Sequence, residues 1–296
     1  MYSIIVCSIR PQEAEALRAN IARTIGEGIQ FEFLAYDNRG TGKGICQVYN
    51  ECAEKAQYEN LCFVHEDVEF LTENWGSILA EKLAEPDCGV IGFAGSSFKS
   101  RSLSGWHSLS RYGVRLNYVQ GGLVNKEGEK CSVACVANPK SEQYSQVISV
   151  DGMCLFVKKR VWSKIRFDQD LLEKFHCYDL DFTIASHTAG FKNWVVNIVQ
   201  IEHFSPGGFD SNWFEETKKL HEKWNNHLPL YTRKKVSYIR KKRYEFMTSL
   251  EMTNFFLKNG LTSRCNAWCI WYYWFTHIFN RRSYNLLRKY YGAKQK

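Results

Sequence analysis

The segment His65-Glu66-Asp67 brings side chains suited to metal chemistry next to one another. It directly follows the apolar run 61–64, which has the composition of a buried strand. Carboxylates at the end of such a strand can hold Mg²⁺ or Mn²⁺, and these ions complete their coordination shells with phosphate oxygens and water. The alternative is that the three residues are solvated strand-end side chains, and the residue types alone leave the two interpretations about equal.

Two other positions could carry acid–base or ligand chemistry. Asp179 and Asp181 lie two residues apart at the start of a helical pattern, so their side chains point about 200° apart unless they occupy the first turn. One of them could act as a general base while the other caps the helix, although two capping residues are the simpler interpretation. His203 follows a β-rich run, where a neutral imidazole could be either a metal ligand or a structural residue.

The elements that must position these residues alternate between strand and helix. Apolar β-branched runs and helically spaced apolar residues predict, in chain order, a strand at 2–8, a helix through 14–25, a strand at 31–36, a helix near 47–57 and a strand at 61–64. Nearly all-apolar strands separated by helices are typical of an α/β fold, with a mostly parallel sheet covered on both faces.

Polar clusters follow the ends of three of these strands. They are Ser8 to Arg10, Asp37-Asn38 and His65 to Asp67. Because ligands of parallel sheets bind beyond the carboxyl ends of the strands, we expect these clusters to meet in one site.

The second half of the chain is less regular. Residues 96–149 are rich in Ser, Gly, Asn and Lys and show weak periodicity, and an insertion of this length is more often functional than incidental. Further elements are predicted as strands at 89–94, 147–150, 154–157 and 194–201, a helix from Tyr178 to near Gly190, and an amphipathic helix at 212–227.

The formal net charge of +8 is unevenly distributed over the 296 residues. Residues 1–210 carry 21 basic and 26 acidic side chains, whereas residues 211–296 carry 18 and 5. The tail also contains the aromatic run 267–279, which is shorter than the roughly 20 residues that a membrane-spanning helix needs. Aromatic residues bracketed by cations suit an interfacial helix on an anionic membrane surface.

The 11 cysteines are odd in number, scattered and never spaced as CxxC. This usage favours buried, reduced thiols over a disulfide framework. The first residues, MYSIIVCSIRP, show no secretory signal pattern. We therefore expect a cytoplasmic protein, peripheral on the inner face of the membrane if the tail binds lipid.

Taken in order, these segments resemble the family 2 type of glycosyltransferase with the GT-A fold, in a divergent bacterial branch related to polysaccharide-building enzymes. The resemblance rests on the stretches 36–70, 150–170 and 175–207, and it covers the chain from residue 2 to about 225. It implies a Rossmann-like, mostly parallel sheet flanked by helices. The implied domains are a GT-A domain at 1–210, with a nucleotide-sugar half near 1–95 and an acceptor half near 96–210, and a basic, aromatic-rich helical extension at 211–296.

The resemblance also implies a donor site. The segment HED stands where the family has its DxD motif, so Asp67 inherits the metal role and His65 replaces the first aspartate. Asp37 matches the nucleotide-contacting acid, and Asn50 lies in a helix start that packs beside the donor. Ser8, at the end of the first strand, completes the expected donor-binding set.

On the acceptor side, Asp151 and Gly152 resemble the family's turn near the sugar. Asp179 matches the catalytic base of the ED-type motif, whose preceding glutamate is a tyrosine here, and Asp181 is assigned to the acceptor side. His203 matches a position that helps to bind the metal or the diphosphate in some relatives.

The implied function is an inverting, metal-dependent glycosyltransferase that uses Mn²⁺ or Mg²⁺. It would move a sugar from a nucleoside diphosphate sugar, expected to be UDP-linked, to a glycan or lipid-linked acceptor in surface polysaccharide synthesis. The competing hypothesis is a non-catalytic nucleotide-sugar or glycan-binding module. For the basic segment 233–291, attachment to an anionic membrane and a packed helical or oligomer contact carry equal weight, while nucleic-acid binding has only charge in its favour.

Overall fold

The computed structural model describes residues 1–106, 113–205, 207–208, 210–233, 236–258, 270–271, 274–275 and 281–294. Within these ranges the helices are α1 (Pro11–Thr24), α2 (Ile45–Lys55), α3 (Trp75–Leu83), α4 (Lys159–Ile165), α5 (Tyr178–Thr188), α6 (Ser211–Trp224), α7 (Tyr238–Lys258) and α8 (Arg281–Lys294). The strands are β1 (Tyr2–Ser8), β2 (Phe31–Asp37), β3 (Asn60–Val64), β4 (Val68–Phe70), β5 (Cys88–Gly92), β6 (Ala94–Ser96), β7 (Phe98–Lys99), β8 (Val114–Val124), β9 (Lys130–Ala137), β10 (Tyr144–Val147), β11 (Ser149–Val150), β12 (Cys154–Lys158), β13 (Lys192–Val196), β14 (Ile201–His203) and β15 (Leu230–Tyr231).

The central sheet has seven strands in the order β10-β13-β5-β12-β3-β1-β2. Five of them run in one direction, and β10 and β12 run against it. The predicted α/β fold with a mostly parallel sheet is therefore confirmed. Its strands are nearly all apolar because both faces are covered: in β1, Ile4 and Val6 pack into one core cluster and Ile5 into the other.

A second, six-stranded sheet lies beyond the carboxyl ends of the central strands. Its order is β11-β6-β8-β14-β4, with β9 paired to β8, and most of its residues come from the segment 96–149 and its flanks. The long hairpin of β8 and β9 was not predicted, because its strands are partly exposed and have no clear apolar alternation. A short third sheet pairs β7 with β15.

The single strand predicted at 194–201 is wrong. The structure has β13 in the central sheet and β14 in the second sheet, separated by four residues. Asn117 fixes this break, since its Nδ2 donates to the carbonyl oxygens of Val196 at 3.2 Å and Val199 at 2.7 Å. The break lets the chain cross to the second sheet and carries His203 with it.

Helix α6, which the sequence places in the C-terminal extension, is anchored to the main body. Asp210 caps it by accepting a hydrogen bond from the Trp213 amide at 2.7 Å, and Leu220 and Trp224 are buried in a central core cluster. Side chains of α7 and α8 form a separate small cluster with Ile270.

The predicted interfacial segment 267–279 lies largely outside the described residues. Among the helices that the structure describes, none has the length and hydrophobicity required to cross a membrane. The nine cysteines in the described ranges are all free thiols.

Candidate active site

The turn between β3 and β4 holds the segment His65 to Asp67, and Glu66 fixes it to the end of β1. The Glu66 carboxylate accepts hydrogen bonds from the Ser8 hydroxyl, from the backbone amides of Ile9 at 3.2 Å and Arg10 at 3.0 Å, and from Arg10 Nε at 3.0 Å. Ser8, expected to contact the donor, therefore uses its hydroxyl to hold this turn. The sequence placed Glu66 in the motif but missed its role.

Asp67 and His203 meet because β4 and β14 pair in antiparallel register, with His203 opposite Val68. His203 Nε2 lies 3.5 Å from Asp67 Oδ1, and both residues are buried. With His65 they form a cluster in which one ligand atom from each residue lies within 4.8 Å of the others.

Electrostatics keep Asp67 ionised. Burial tends to raise the pKa of its carboxyl, but hydrogen bonds from His203 and Ser205 outweigh it and hold the pKa well below its usual range. A carboxylate that stays charged while buried is ready to accept a cation.

His65 is held by Tyr178, the residue before Asp179. His65 Nε2 lies 2.7 Å from Tyr178 Oη, which also lies 3.0 Å from the carbonyl oxygen of Gly152. The hydroxyl donates its only proton to that carbonyl, so it accepts a hydrogen bond from His65 Nε2–H. Burial, and then the neighbouring His203, lower the pKa of His65, which favours a neutral ring whose Nδ1 lone pair is available to a metal.

Gly152 allows this arrangement because it has no side chain. A Cβ built there would lie 2.2 Å from Tyr178 Oη and 2.6 Å from Cζ, closer than real Cβ contacts allow. The Asp151-Gly152 turn predicted on the acceptor side is thus tied to His65 through Tyr178.

Asp179 lies in the first turn of α5, half-buried and close to Asp151. Burial, and then the negative charge of Asp151, raise the pKa of Asp179 to about 7, although backbone hydrogen bonds act in the opposite direction. Asp151 is itself held in place, since its Oδ1 accepts a hydrogen bond from the Met153 amide at 3.0 Å. Both carboxylates line a cavity of about 530 Å³.

A second cavity, of about 580 Å³, opens on the other side of the cluster. It is lined by the ends of β1 and β3, by Arg10, and by the loop from Asn38 to Lys43, in which two glycines have positive φ. His65 and Ser205 line both cavities, so the cluster stands on the boundary between them.

Asp37 lies at the end of β2, beside this second cavity, and is exposed. Arg39 holds it through two hydrogen bonds, from Nε to Oδ1 at 2.8 Å and from Nη2 to Oδ2 at 2.6 Å. These bonds lower the pKa of Asp37 to about 2.

Four of the expected site residues line neither cavity: Ser8 and Asp37, described above, and Asp181 and Asn50. Asp181 is buried on the opposite side of α5, where it accepts hydrogen bonds from Lys223 Nζ at 2.9 Å and Trp224 Nε1 at 2.7 Å. Asn50 is buried and donates to the Phe167 carbonyl at 2.8 Å. The structure therefore places Asp181 in the contact between α5 and α6 and Asn50 in a contact beneath the site, instead of bringing them to an acceptor or donor.

The cavity of about 530 Å³ also has lining residues that the sequence did not predict. They include Ser104 to Trp106, Tyr118 and Gln120 from β8, and Glu251 with Phe255 from α7. These residues come from segments far apart in the chain, and no local motif identified them.

Comparisons with known proteins identify a family and a shared fold. A family model described as "Glycosyltransferase like family" matches residues 3–227. The solved structure of GalNAc-T7 with UDP, GalNAc and Mn²⁺ is 12% identical, with a TM-score of 0.50, and the match covers 76% of this chain and 48% of that one. This chain thus spans about half the length of GalNAc-T7, and at this identity the likeness shows a shared fold.

Two structures of S. aureus TarS residues 1–349 are also similar. The complex with UDP is 12% identical with a TM-score of 0.49, and the match covers 90% of this chain and 75% of that one. The complex with UDP-GlcNAc is 11% identical with a TM-score of 0.48, and covers 90% and 76%. No curated protein matches this chain in sequence.

Proposed function

This chain belongs to the glycosyltransferase-like family, and from that premise we propose that it transfers a sugar from a nucleoside diphosphate sugar to a hydroxyl group, with inversion at the anomeric carbon. One observation carries the proposal: a cluster of metal-ligand type stands between two cavities, and a carboxylate with a raised pKa lies in one of them. We assign the donor's nucleotide to the cavity beside β1 and β2, and the acceptor to the cavity beside Asp179.

The cluster fits a divalent metal. It offers one ionised carboxylate, from Asp67, and two imidazoles, from His65 and His203. Imidazole nitrogen suits Mn²⁺ better than Mg²⁺, which prefers oxygen ligands, so we propose Mn²⁺. When bound, the metal would act as a Lewis acid and offset the negative charge that develops on the leaving diphosphate.

Asp179 is the proposed general base. A carboxyl whose pKa lies near 7 can take a proton from an acceptor hydroxyl at neutral pH and is more basic than an ordinary aspartate. Asp179 faces one cavity, and the cluster stands between it and the cavity assigned to the nucleotide, so the acceptor would approach from the side opposite the leaving diphosphate. That arrangement supports a single displacement with inversion.

On the donor side, Arg10 supports the cluster, with Nη2 3.7 Å from Asp67 Oδ2 and Nε bonded to Glu66. Asp37 is the proposed nucleotide contact, and Arg39 holds its carboxylate ionised. We propose uridine as the nucleoside, in keeping with the UDP present in the structure of GalNAc-T7.

The start of α7 supports a proposal about where in the cell the protein acts. At the start of α7, Tyr238 is 71% exposed and Ile239 is 79% exposed, next to the cations Arg240 to Lys242. Exposed apolar groups interleaved with basic side chains suit the surface of an anionic membrane. We therefore propose a glycan or lipid-linked acceptor of surface polysaccharide synthesis, reached at the cytoplasmic face of the membrane.

Donor choice is tested by thermal shift with a panel of UDP-, GDP- and dTDP-sugars, each with Mn²⁺ and with EDTA. A ligand at a hundredfold excess over its Kd stabilises a protein by about 2.7 kcal/mol, so a matching donor raises Tm by several degrees. We expect this rise with a UDP-sugar and Mn²⁺ together. A rise with another nucleotide would contradict the uridine assignment, and a rise that survives EDTA would contradict the metal.

Tyr178→Phe tests how His65 is held. The variant keeps the ring and its packing but loses the hydroxyl that accepts from His65 Nε2 and donates to Gly152. Side chains that orient a metal ligand typically contribute 10- to 100-fold to metal affinity or activity, so we expect Mn²⁺ affinity and kcat to fall by about that factor. Tyr118→Phe is the matched control, since Tyr118 lines the same cavity and does not belong to the cluster. Wild-type Mn²⁺ affinity in Tyr178→Phe protein, measured by calorimetry, would refute this role.

A further inference from the structure

A third cavity, of about 430 Å³, lies at the other edge of the central sheet and shares no lining residue with the two cavities of the candidate active site. Its walls come from β10 and β13, from β15 and the residues after it, and from the first turns of α7. The basic segment that begins at Arg233 thus contributes to a recess in the body of the protein.

Three arginines give this cavity its charge. Arg115, Arg233 and Arg240 line it, and none of them forms an ion pair with a carboxylate in the described part of the chain. The other two charged lining residues, Lys140 and Glu142, pair with each other at 2.8 Å. The cavity therefore has an excess of three positive charges.

Arg115 is the half-buried member of this set. Its guanidinium donates to the carbonyl oxygen of its neighbour Val114 at 2.8 Å. Burial lowers the pKa of Arg115; the attraction of Glu142 opposes this effect, and a smaller repulsion from Arg233 adds to it. An anion placed among these side chains would relieve both the repulsion and part of the desolvation.

Two aromatic side chains, Trp194 and Tyr231, form part of the cavity wall. Trp194 Nε1 and Tyr231 Oη are buried atoms without a hydrogen-bond partner in the described ranges, so a ligand in the cavity meets the rings and not these two atoms. Tyr231 is held in place, stacked on Phe98 with ring centroids 5.0 Å apart.

We propose that this cavity is a second binding site, for the phosphate ester of a sugar, separate from the donor and acceptor sites. The guanidinium groups of Arg115, Arg233 and Arg240 hold the phosphate, and the sugar ring lies against Trp194 and Tyr231. A phosphate matches the charge excess better than a single carboxylate, because it carries up to two negative charges and three oxygens for planar guanidinium donors. The recess and its aromatic walls favour a ring over a bare ion.

The test is calorimetric titration of the full chain with glucose 6-phosphate, in EDTA so that a metal-bridged contact at Asp67 does not contribute. Wild-type protein is compared with the double variant Arg115→Gln/Arg240→Gln. Because hydrogen bonds to charged groups contribute about 1.5–3 kcal/mol each, the double variant should bind at least about 100-fold more weakly. Arg18→Gln/Arg23→Gln, which removes two exposed charges from α1, is the matched control and should bind like wild type.

The proposal is supported if glucose 6-phosphate binds, glucose does not, and affinity falls only in the cavity variant. It is overturned if wild type shows no binding up to 20 mM, if glucose binds equally well, or if the double variant keeps wild-type affinity. It is also overturned if the double variant loses only binding to phosphatidylglycerol vesicles, because the arginines would then contact a lipid surface. None of these outcomes depends on glycosyl transfer, so the third cavity is tested independently of the proposed function.

Discussion

Asp179→Asn protein should transfer sugar about 10²- to 10⁴-fold more slowly than wild type, the range that a positioned general base contributes. The amide keeps the size and most of the hydrogen bonds of the carboxylate but cannot take the proton of the acceptor hydroxyl. The measurement is the rate of UDP release from the donor identified by thermal shift. Asp151→Asn is the matched control, because it changes a carboxylate in the same cavity and leaves Asp179 in place.

The pH dependence sharpens this prediction. Only the ionised form of Asp179 is a base, so kcat/KM should rise about tenfold per pH unit below pH 7 and level off above it, given a pKa of about 7. Removing the charge of Asp151 removes one cause of the raised pKa, so Asp151→Asn should move the rising limb to lower pH. The assignment of Asp179 as the base would be contradicted if the residual activity of Asp179→Asn protein still rose with pH in this range. It would also be contradicted if the rising limb of the pH profile stayed at the same pH in Asp151→Asn protein.

Stability should change in the opposite direction to activity. The pKa of Asp179 is higher in the folded protein than in the unfolded chain. The folded state therefore loses stability, relative to the unfolded chain, as pH rises from about 4 to about 7. Asp179→Asn removes this cost, and its Tm should exceed that of wild type by a few degrees at pH 8 and by less at pH 5. A Tm below that of wild type at pH 8 would mean that the loss of activity reflects damage to the fold.

Asp67→Asn should lower the Mn²⁺-dependent rate by about 10³-fold, since charge stabilisation by a bound metal contributes several kcal/mol. The variant loses the anionic member of the cluster and leaves His65 and His203 to hold the ion alone. The measurement is the UDP release rate as a function of Mn²⁺ concentration, combined with direct Mn²⁺ titration.

Glu69→Gln provides the control for this experiment. Glu69 is on β4, two residues beyond Asp67, and it contacts Asn20 and Arg23 but is not part of the cluster. It should keep the wild-type Mn²⁺ dependence. If Asp67→Asn protein kept the same Mn²⁺ dependence as wild type, the metal would be held by other residues.

Much of the fold could be predicted from the sequence because the central strands are buried on both faces. The run 61–64 is entirely apolar and fully buried, and its end carries the metal-type residues as expected. The helical spacing alone left open whether Asp179 and Asp181 share a site, because both fall in the first turn of α5. The structure places Asp179 in a cavity and Asp181 against α6, away from the acceptor side to which the resemblance assigned it.

The remaining features depend on contacts between distant segments. Asp67 and His203 lie far apart in the chain and meet through the pairing of β4 with β14, which the sequence did not reveal because 194–201 resembled one continuous strand. Tyr178 looked like the loss of a motif glutamate, and only the folded geometry shows its hydroxyl joining His65 to Gly152. The third cavity is assembled from several elements and has no local motif.

The central claim is that the cluster of His65, Asp67 and His203 and the base Asp179 act together on a nucleoside diphosphate sugar. Its most direct test is the hydrolysis of UDP-sugars without an added acceptor, with water in place of the acceptor hydroxyl, by wild type, Asp67→Asn and Asp179→Asn in Mn²⁺ and in EDTA. We expect slow UDP release by wild type in Mn²⁺, none in EDTA, and none above background from either variant. The account would be contradicted by UDP release that persists in EDTA or in both variants. It would also be contradicted by tight donor binding with no turnover of any UDP-sugar in any acceptor preparation, and that result would identify a binding module.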